Sequence, residues 1–200
     1  MTNSFDPKQQ ESDITSKLVV GLERLSEVFR VLLWEQSKIT GLSPIQIQIL
    51  IFLKNHDEPL ANVSHLSSEF NLKKPTVSDA IKVLFTKGLI KKETGVDARA
   101  YTIHLTDDGK RLVKEVQSFA EPLHSHLDEL SASDKQSFHK SLTQLIFRLN
   151  QAGIIQVQRT CFGCRFYEKN EESHYCNLLE RTLEDKDLRL DCQEFEAEMA

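Results

Sequence analysis

The segment 62–105 constrains the fold more than any other part of this 200-residue chain. Apolar residues recur at helical spacing in 63–70 and again in 75–87, and a short polar connection joins the two stretches. Gly88 ends the second helix, and two short strands joined by a turn complete the segment. Two short helices, a tight turn and a β-hairpin in this order predict a helix-turn-helix followed by a wing.

Helices are also predicted on the N-terminal side of this segment. Residues 1–12 are polar, and we expect them to be disordered. Apolar residues then recur at helical spacing from Asp13 to near Gly41, which predicts one long amphipathic helix. A second helix begins after Ser43, with proline in its first turn and Gln46 placed to complete a capping box.

Two further helices are predicted after the hairpin. Thr106 is the expected N-cap of a helix that runs to about Leu130, with a kink at Pro122. A last long helix covers 133–152. The predicted fold class is therefore mainly α, of the α+β type, with a winged helix-turn-helix between long helices.

The first and last of these helices carry more apolar surface than one small winged domain needs to cover. The members of the two stripes are Leu18, Leu22, Leu25, Phe29, Leu32 and Leu33, and Phe138, Leu142, Leu145, Ile146 and Leu149. A second copy of the chain would cover this surplus. We therefore expect a homodimer in which the long helices form the dimerisation layer.

Charge is distributed unevenly along the chain. The formal net charge of the whole sequence is −5, so bulk charge does not make it a nucleic-acid binder. The segment 62–104 nevertheless holds seven basic residues against four acidic ones, whereas 155–200 holds six against eleven. A positive middle beside an acidic tail is typical of a nucleic-acid surface on one part of the molecule. Ordinary solvated faces would give the same counts.

The second helix of the pair is narrow enough to enter the major groove of DNA. Val77, Ile81 and Leu84 are expected to hold it against the body of the domain. The residues expected to face DNA are Lys73, Lys74, Thr76, Ser78, Asp79 and Lys82 on or just before this helix, and Arg99 at the hairpin tip. Lysines at a helix N-terminus favour phosphate binding, and narrow minor grooves attract arginine.

Several stretches of the sequence resemble the MarR family of transcriptional regulators. The matching pieces are SPIQIQILIFL, HLSSEFNLKKPTVSDAIKVLFTKGLIKKE and DARAYTIHLTDDGK, which follow the order of the family within about residues 14–152. The resemblance implies a homodimer that places its recognition helices in successive major grooves of a near-palindromic operator. It also implies a regulator, expected to be a repressor, and a family in which small anionic aromatic effectors are often bound.

The resemblance assigns roles to two residues of the wing and differs at one residue of the helix. Asp97 and Arg99 match the family's wing pair, in which the aspartate steadies the arginine that enters the minor groove. Asp79 stands where members often carry arginine. A carboxylate there can accept a hydrogen bond from a cytosine amino group, or it can repel phosphate.

All four cysteines of the chain lie in its last fifth, with the spacing C-x2-C-x11-C-x15-C. They are Cys161, Cys164, Cys176 and Cys192. A Cys-x-x-Cys pair is typical of one half of a four-thiolate metal site, and two later cysteines can close it. Residues 154–200 have few aliphatic side chains, so a bound metal would supply much of their folding free energy. We therefore predict a C-terminal metal-binding module, structural or sensory, after a winged domain at 13–153.

Zinc and an iron–sulfur cluster both accept four thiolates. Zinc is the expected cofactor because closed four-cysteine zinc sites with a Cys-x-x-Cys half are common, and the cluster is the alternative. His174, two residues before Cys176, could replace one thiolate, but a position outside the ligand shell is the simpler expectation.

Composition and motifs exclude several other classes of protein. The N-terminus lacks an apolar signal region, and the longest apolar run, 47–53, is far shorter than the roughly twenty residues of a membrane span. A cytoplasmic protein with no membrane partner is therefore expected. No Gly-rich phosphate loop or HExxH motif is found, so we expect no enzyme. The alternatives are an iron–sulfur redox protein and a winged-helix adaptor that docks a protein partner without binding DNA.

Overall fold

Helices make up most of the chain, as the apolar periodicity predicts. The computed structural model describes residues 3–94, 101–170 and 173–198. In these ranges the helices are α1 (Pro7–Gln10), α2 (Ile14–Thr40), α3 (Pro44–Asn55), α4 (Val63–Glu69), α5 (Lys74–Thr86), α6 (Asp107–Val116), α7 (Glu121–Asp128) and α8 (Ala132–Gln151). The strands are β1 (Ile90–Thr94), β2 (Tyr101–Leu105), β3 (Tyr167–Lys169), β4 (His174–Cys176) and β5 (Arg181–Leu183).

The predicted helix ends on the N-terminal side are present. The Asp13 carboxylate caps α2 by accepting from the backbone N–H groups of Thr15 and Ser16 at 3.0 and 3.1 Å. Gly41 ends α2 with a φ of 65°, a left-handed conformation that favours glycine. At the start of α3, the Ser43 N–H donates to Gln46 Oε1 at 2.9 Å, as expected for the capping box. Within the stretch expected to be disordered, α1 forms one helical turn.

The prediction of one kinked helix from Thr106 to Leu130 is wrong. Thr106 does cap α6, since its Oγ1 accepts from the Gly109 N–H at 3.1 Å. However, α6 ends at Val116, and α7 begins only at Glu121. Inside a continuous helix, Pro122 would clash with a carbonyl four residues earlier and would lack the N–H that bonds to it. In the first turn of α7 the missing N–H is not needed, so the chain breaks before the proline.

The core of the winged part lies between α3, α4, α5, α6 and the hairpin. Its fully buried side chains include Ile47, Leu50, Leu66, Val77, Ile81, Leu84, Ile103 and Val113. Every residue of this core cluster falls between Leu33 and Phe119. The core cluster of the winged part therefore contains no residue of the cysteine-containing segment.

The chain after α8 forms a separate small unit, which we call the cysteine module (residues 154–198). Its three strands pair antiparallel in the order β3-β4-β5. Leu183 and Leu188 are its buried aliphatic residues. The module rests on α8, where the ring centroids of Phe147 and Phe162 lie 5.7 Å apart. None of the helices in the described ranges combines the length and apolar character needed to cross a bilayer.

Candidate nucleic-acid interface and four-cysteine cavity

The second helix of the helix-turn-helix, α5, has one apolar and one polar face. It begins at Lys74, slightly earlier than predicted, with Lys73 as the N-cap residue and Pro75 in its first turn. Val77, Ile81 and Leu84 are fully buried, as predicted. The predicted outward residues Thr76, Ser78, Asp79 and Lys82 are all exposed. One continuous face of α5 is thus open to a partner.

Positive charge is concentrated near the start of α5. Lys73 and Lys74 lie at its first turn, and Lys82 lies about two turns later on the exposed side. In the described part of the chain, none of these three ammonium groups lies within 4.0 Å of a carboxylate. By contrast, Lys91 Nζ of the wing lies 2.5 Å from Glu93 Oε1. Lys73 and Lys74 therefore add positive charge at the positive end of the helix dipole, where backbone N–H groups also favour an anion.

The described part of the wing is its base, which consists of β1 and β2. β1 and β2 pair antiparallel from Ile90↔Leu105 to Thr94↔Tyr101. The Ile103 N–H donates to the Ala61 carbonyl at 2.9 Å, which ties the base of the wing to the segment before α4. The predicted contact residues of the tip, Asp97 and Arg99, lie outside the described residues.

α2 and α8 leave apolar side chains exposed on a single protomer. Leu18 is 61% exposed and Phe138 is 42% exposed, and most other members of the predicted stripes are at least partly exposed. Leu33 is the exception, because it is buried in the core of the winged part. The surplus apolar surface that the sequence predicts is thus present on both long helices.

The four cysteines, 31 positions apart from first to last in the sequence, line a single cavity. Cys161 lies in a 3₁₀ turn, Cys164 follows that turn, and Cys176 ends β4. The cavity has a volume of about 30 Å³, and its other lining residues include Phe166, Tyr167, Leu178, Leu179, Leu183 and Arg189. All four thiols are free. The two later cysteines thus line the same cavity as the Cys-x-x-Cys pair.

The cysteine side chains that line the cavity are not grouped tightly enough to count as a metal site. Among the residues that the structure describes, no three His, Cys, Asp or Glu side chains form a group that could hold a metal ion. A cavity of about 10–15 Å³ is large enough to hold one water molecule. The cavity between the thiols, at about 30 Å³, is larger than that.

Arg189 contributes two hydrogen bonds to the sulfurs and was not a predicted site residue. Its backbone N–H lies 3.3 Å from Cys161 Sγ, and its Nη1 lies 3.5 Å from Cys192 Sγ. Burial raises the pKa of both thiols, whereas these N–H donors favour the thiolate. The only sequence signal for this role of Arg189 is its position, three residues before Cys192.

His174 lies outside the cavity lining. Its Nδ1 is 2.6 Å from the Tyr167 hydroxyl, and its Nε2 is 3.1 Å from Asp185 Oδ1. Both ring nitrogens therefore have protein partners, and His174 orients a tyrosine that does line the cavity. Burial raises the pKa of Tyr167 to about 12.

Comparison with known proteins supports the fold of the winged part. Residues 40–100, from the end of α2 into the wing, match the model of the MarR family. A comparison with curated protein sequences gave no match. The solved structures that resemble this chain include three MarR-type proteins.

The first of these is MepR of Staphylococcus aureus in complex with DNA, with a TM-score of 0.59 and 22% identity over 66% of this chain and 97% of MepR. A MarR protein from Peptoclostridium difficile has a TM-score of 0.61 at 19% identity, over 70% of this chain and 92% of its own. A MarR transcriptional regulator from Methanosarcina mazei has a TM-score of 0.55 at 22% identity, over 68% of this chain and 99% of its own. The predicted MarR-type winged-helix fold is thereby confirmed.

Proposed function

We propose that this protein is a DNA-binding transcriptional regulator that acts as a repressor on a near-palindromic operator. The observation that carries the proposal is the open polar face of α5, with Lys73 and Lys74 unpaired at its positive end. The likeness to MepR, whose structure was solved as a DNA complex, supports the same assignment.

The contacts with DNA divide into two groups. Lys73 and Lys74 bind backbone phosphate together with the first N–H groups of α5, which fixes the position of the helix on the duplex. Thr76, Ser78, Asp79 and Lys82 face the base edges of the major groove, where Asp79 accepts from a cytosine amino group. Arg99 in the wing tip enters the adjacent minor groove with the support of Asp97.

The regulator binds DNA as a homodimer. The exposed apolar stripes of α2 and α8 supply the interface, because each leaves apolar side chains that water would otherwise contact. Two-fold symmetry then presents two α5 helices to two half-sites about one helical turn apart.

DNA binding is tested by comparing two lysine variants at several salt concentrations. Lys74→Ala should weaken binding to all duplexes alike and reduce the slope of log affinity against log salt by about 0.9, as expected for one lost phosphate contact. Lys135→Ala is the matched control, since Lys135 on α8 pairs with Asp128 at 3.2 Å, away from α5. If Lys74→Ala and Arg99→Ala both bind every duplex as wild type does at low salt, the proposal is wrong.

A second proposal concerns the cysteine module. Cys161, Cys164, Cys176 and Cys192 supply four thiolates to one metal centre, which holds the module together. By donor chemistry these residues fit either zinc or an iron–sulfur cluster. Cysteine spacing favours zinc, because closed four-cysteine sites with a Cys-x-x-Cys half are common, and an iron–sulfur cluster is the alternative.

Metal analysis of protein purified without oxygen tests this second proposal. A cluster gives a brown protein with iron and acid-labile sulfide, both lost in Cys176→Ser. One zinc per chain in a colourless protein would rule out the iron–sulfur cluster and would support a four-thiolate zinc site. Neither metal at a stoichiometric level would overturn the centre itself.

A further inference from the structure

The cysteine module is joined to the helix-turn-helix by one arginine. Arg159 forms a two-pronged ion pair with Glu69, with Nη1–Oε2 at 2.7 Å and Nη2–Oε1 at 3.1 Å. Its Nε also lies 2.5 Å from Asp191 Oδ1. The side chain of Arg159 is only 11% exposed and that of Glu69 is 19% exposed, so water screens this pair weakly.

On the module side, Arg159 belongs to the backbone that carries the cysteines. Its carbonyl accepts from the Cys192 N–H at 3.0 Å, and Asp191 directly precedes that cysteine. Two residues after Arg159, the Cys161 N–H donates to the Arg189 carbonyl at 3.2 Å. Arg159 therefore lies where the segments before the first and last cysteines are joined by an isolated parallel bridge, Arg159↔Asp191.

On the other side, the same residues reach the ends of α3 and α4. Glu69 is the last residue of α4, and five positions later α5 begins. His56, just after α3, points its Nε2 at Asp191 Oδ2 at 2.8 Å and stacks on Phe52 with the ring centroids 3.9 Å apart. We call Arg159, Glu69, Asp191 and His56 the Arg159 clamp.

We propose that the Arg159 clamp transmits the state of the four-cysteine centre to the helix-turn-helix, so that loss of the centre weakens DNA binding. This inference rests on the proposed function. An intact centre fixes Cys161 and Cys192, and with them the backbone positions of Arg159 and Asp191. The clamp then holds α4 and the turn before α5 in place before DNA arrives, which lowers the conformational cost of binding.

Without the centre, the segments around Cys161 and Cys192 lose the metal–sulfur bonds that close the module. Asp191 then no longer orients the guanidinium of Arg159, and α4 becomes free to move relative to the core. Coupling between two sites is typically about 5- to 150-fold in affinity. We expect about a tenfold loss here, since the clamp acts on α4 rather than on α5 directly.

The test is a double-mutant cycle with a matched control. Cys176→Ser removes the centre without substituting a clamp residue or a neighbour of one, because Cys176 lies on β4. It is combined with Glu69→Gln, which removes the charge that Arg159 pairs with and retains a side-chain acceptor. The control background is Lys140→Gln, which removes the 2.9 Å ion pair between α8 and Asp185 of the same module. Affinity is measured by fluorescence anisotropy for a duplex selected by the wild-type protein from a random pool.

Cys176→Ser should weaken binding about tenfold in the wild-type and Lys140→Gln backgrounds, and less than twofold in the Glu69→Gln background. Arg159→Gln should repeat the Glu69→Gln result, and thermal unfolding shows that each variant is folded. An equal loss of duplex affinity in all backgrounds would overturn the clamp. So would a Cys176→Ser protein that has lost its metal and still binds the duplex as tightly as wild type does.

Hydrogen exchange of free protein separates failure of the clamp from failure of the DNA assignment. Amides of α4 should exchange faster in Cys176→Ser than in wild type. They should exchange at equal rates in the Glu69→Gln variant and in the double variant that also carries Cys176→Ser. Unchanged protection of α4 in Cys176→Ser would overturn the clamp whether or not the protein binds DNA.

Discussion

Gly109 in the first turn of α6 is a position where one methyl group should displace the wing. A Cβ added at this residue would lie 2.0 Å from the carbonyl oxygen of Leu89 and 3.1 Å from its carbonyl carbon. Both atoms belong to the backbone just before β1, and the same oxygen accepts from the Thr106 N–H at 3.1 Å. No side-chain rotation can relieve the contact, so Gly109→Ala must push β1 away from α6.

Two opposing effects set the magnitude. Overpacking a well-filled site costs about 1–3 kcal/mol, and a contact this short with backbone belongs near the upper end. Alanine also favours a helix over glycine by about 1 kcal/mol. We therefore expect Gly109→Ala to lower the free energy of unfolding by about 2 kcal/mol.

Urea unfolding followed by circular dichroism measures this loss, at one fixed protein concentration because the stability of the proposed dimer would depend on concentration. Gly21→Ala in α2 is the matched control within the protomer, since no atom of the same chain lies within 4 Å of the added Cβ. It should raise the free energy of unfolding by about 0.5–1 kcal/mol. A Gly109→Ala protein as stable as wild type would refute the reasoning, as would an equal loss in both variants.

Other predictions follow from the caps, the stripes and the cysteines. Asn62→Ala removes the acceptor for the His65 N–H at the start of α4, and urea unfolding should show a loss of about 1 kcal/mol; no loss would mean that the cap is not formed. Leu145→Asp places a charge on the exposed stripe of α8 and should give a monomer by light scattering at micromolar concentration, so an intact dimer contradicts the proposed interface. Cys176→Ser should release the metal and make 155–198 sensitive to protease while the winged core survives, and retention of one metal equivalent would remove Cys176 from the centre.

The parts of the fold that the sequence predicts are those set by local interactions. Asp13, Gly41 and Thr106 mark helix ends because the atoms that they cap lie within a few residues of them. The buried face of α5 was predictable for the same reason, since helical periodicity places Val77, Ile81 and Leu84 on one side. Gly109 is different, because its close contact with Leu89 depends on a tertiary approach that no local pattern encodes.

The candidate sites were predictable to different degrees. Cysteine spacing identifies the four thiols, but the size of the space between them depends on how the three strands and the turns of the module pack. Arg159 and Glu69 are 90 positions apart in the sequence, and no sequence pattern connects them. Ion pairs of this kind depend on the relative placement of two separately built units. The break between α6 and α7 was missed because a proline can either kink a helix or begin a new one.

The self-sufficient core of the winged part has a genetic consequence. Because every core residue falls between Leu33 and Phe119, we expect a chain that ends after α8 still to fold. Such a chain keeps both long helices, so through the proposed dimer interface it would pair with full-length subunits made from an intact copy of the gene. A nonsense mutation in the last fifth of the gene would therefore behave as a dominant change in control, whereas one inside the core would behave as a simple loss of protein.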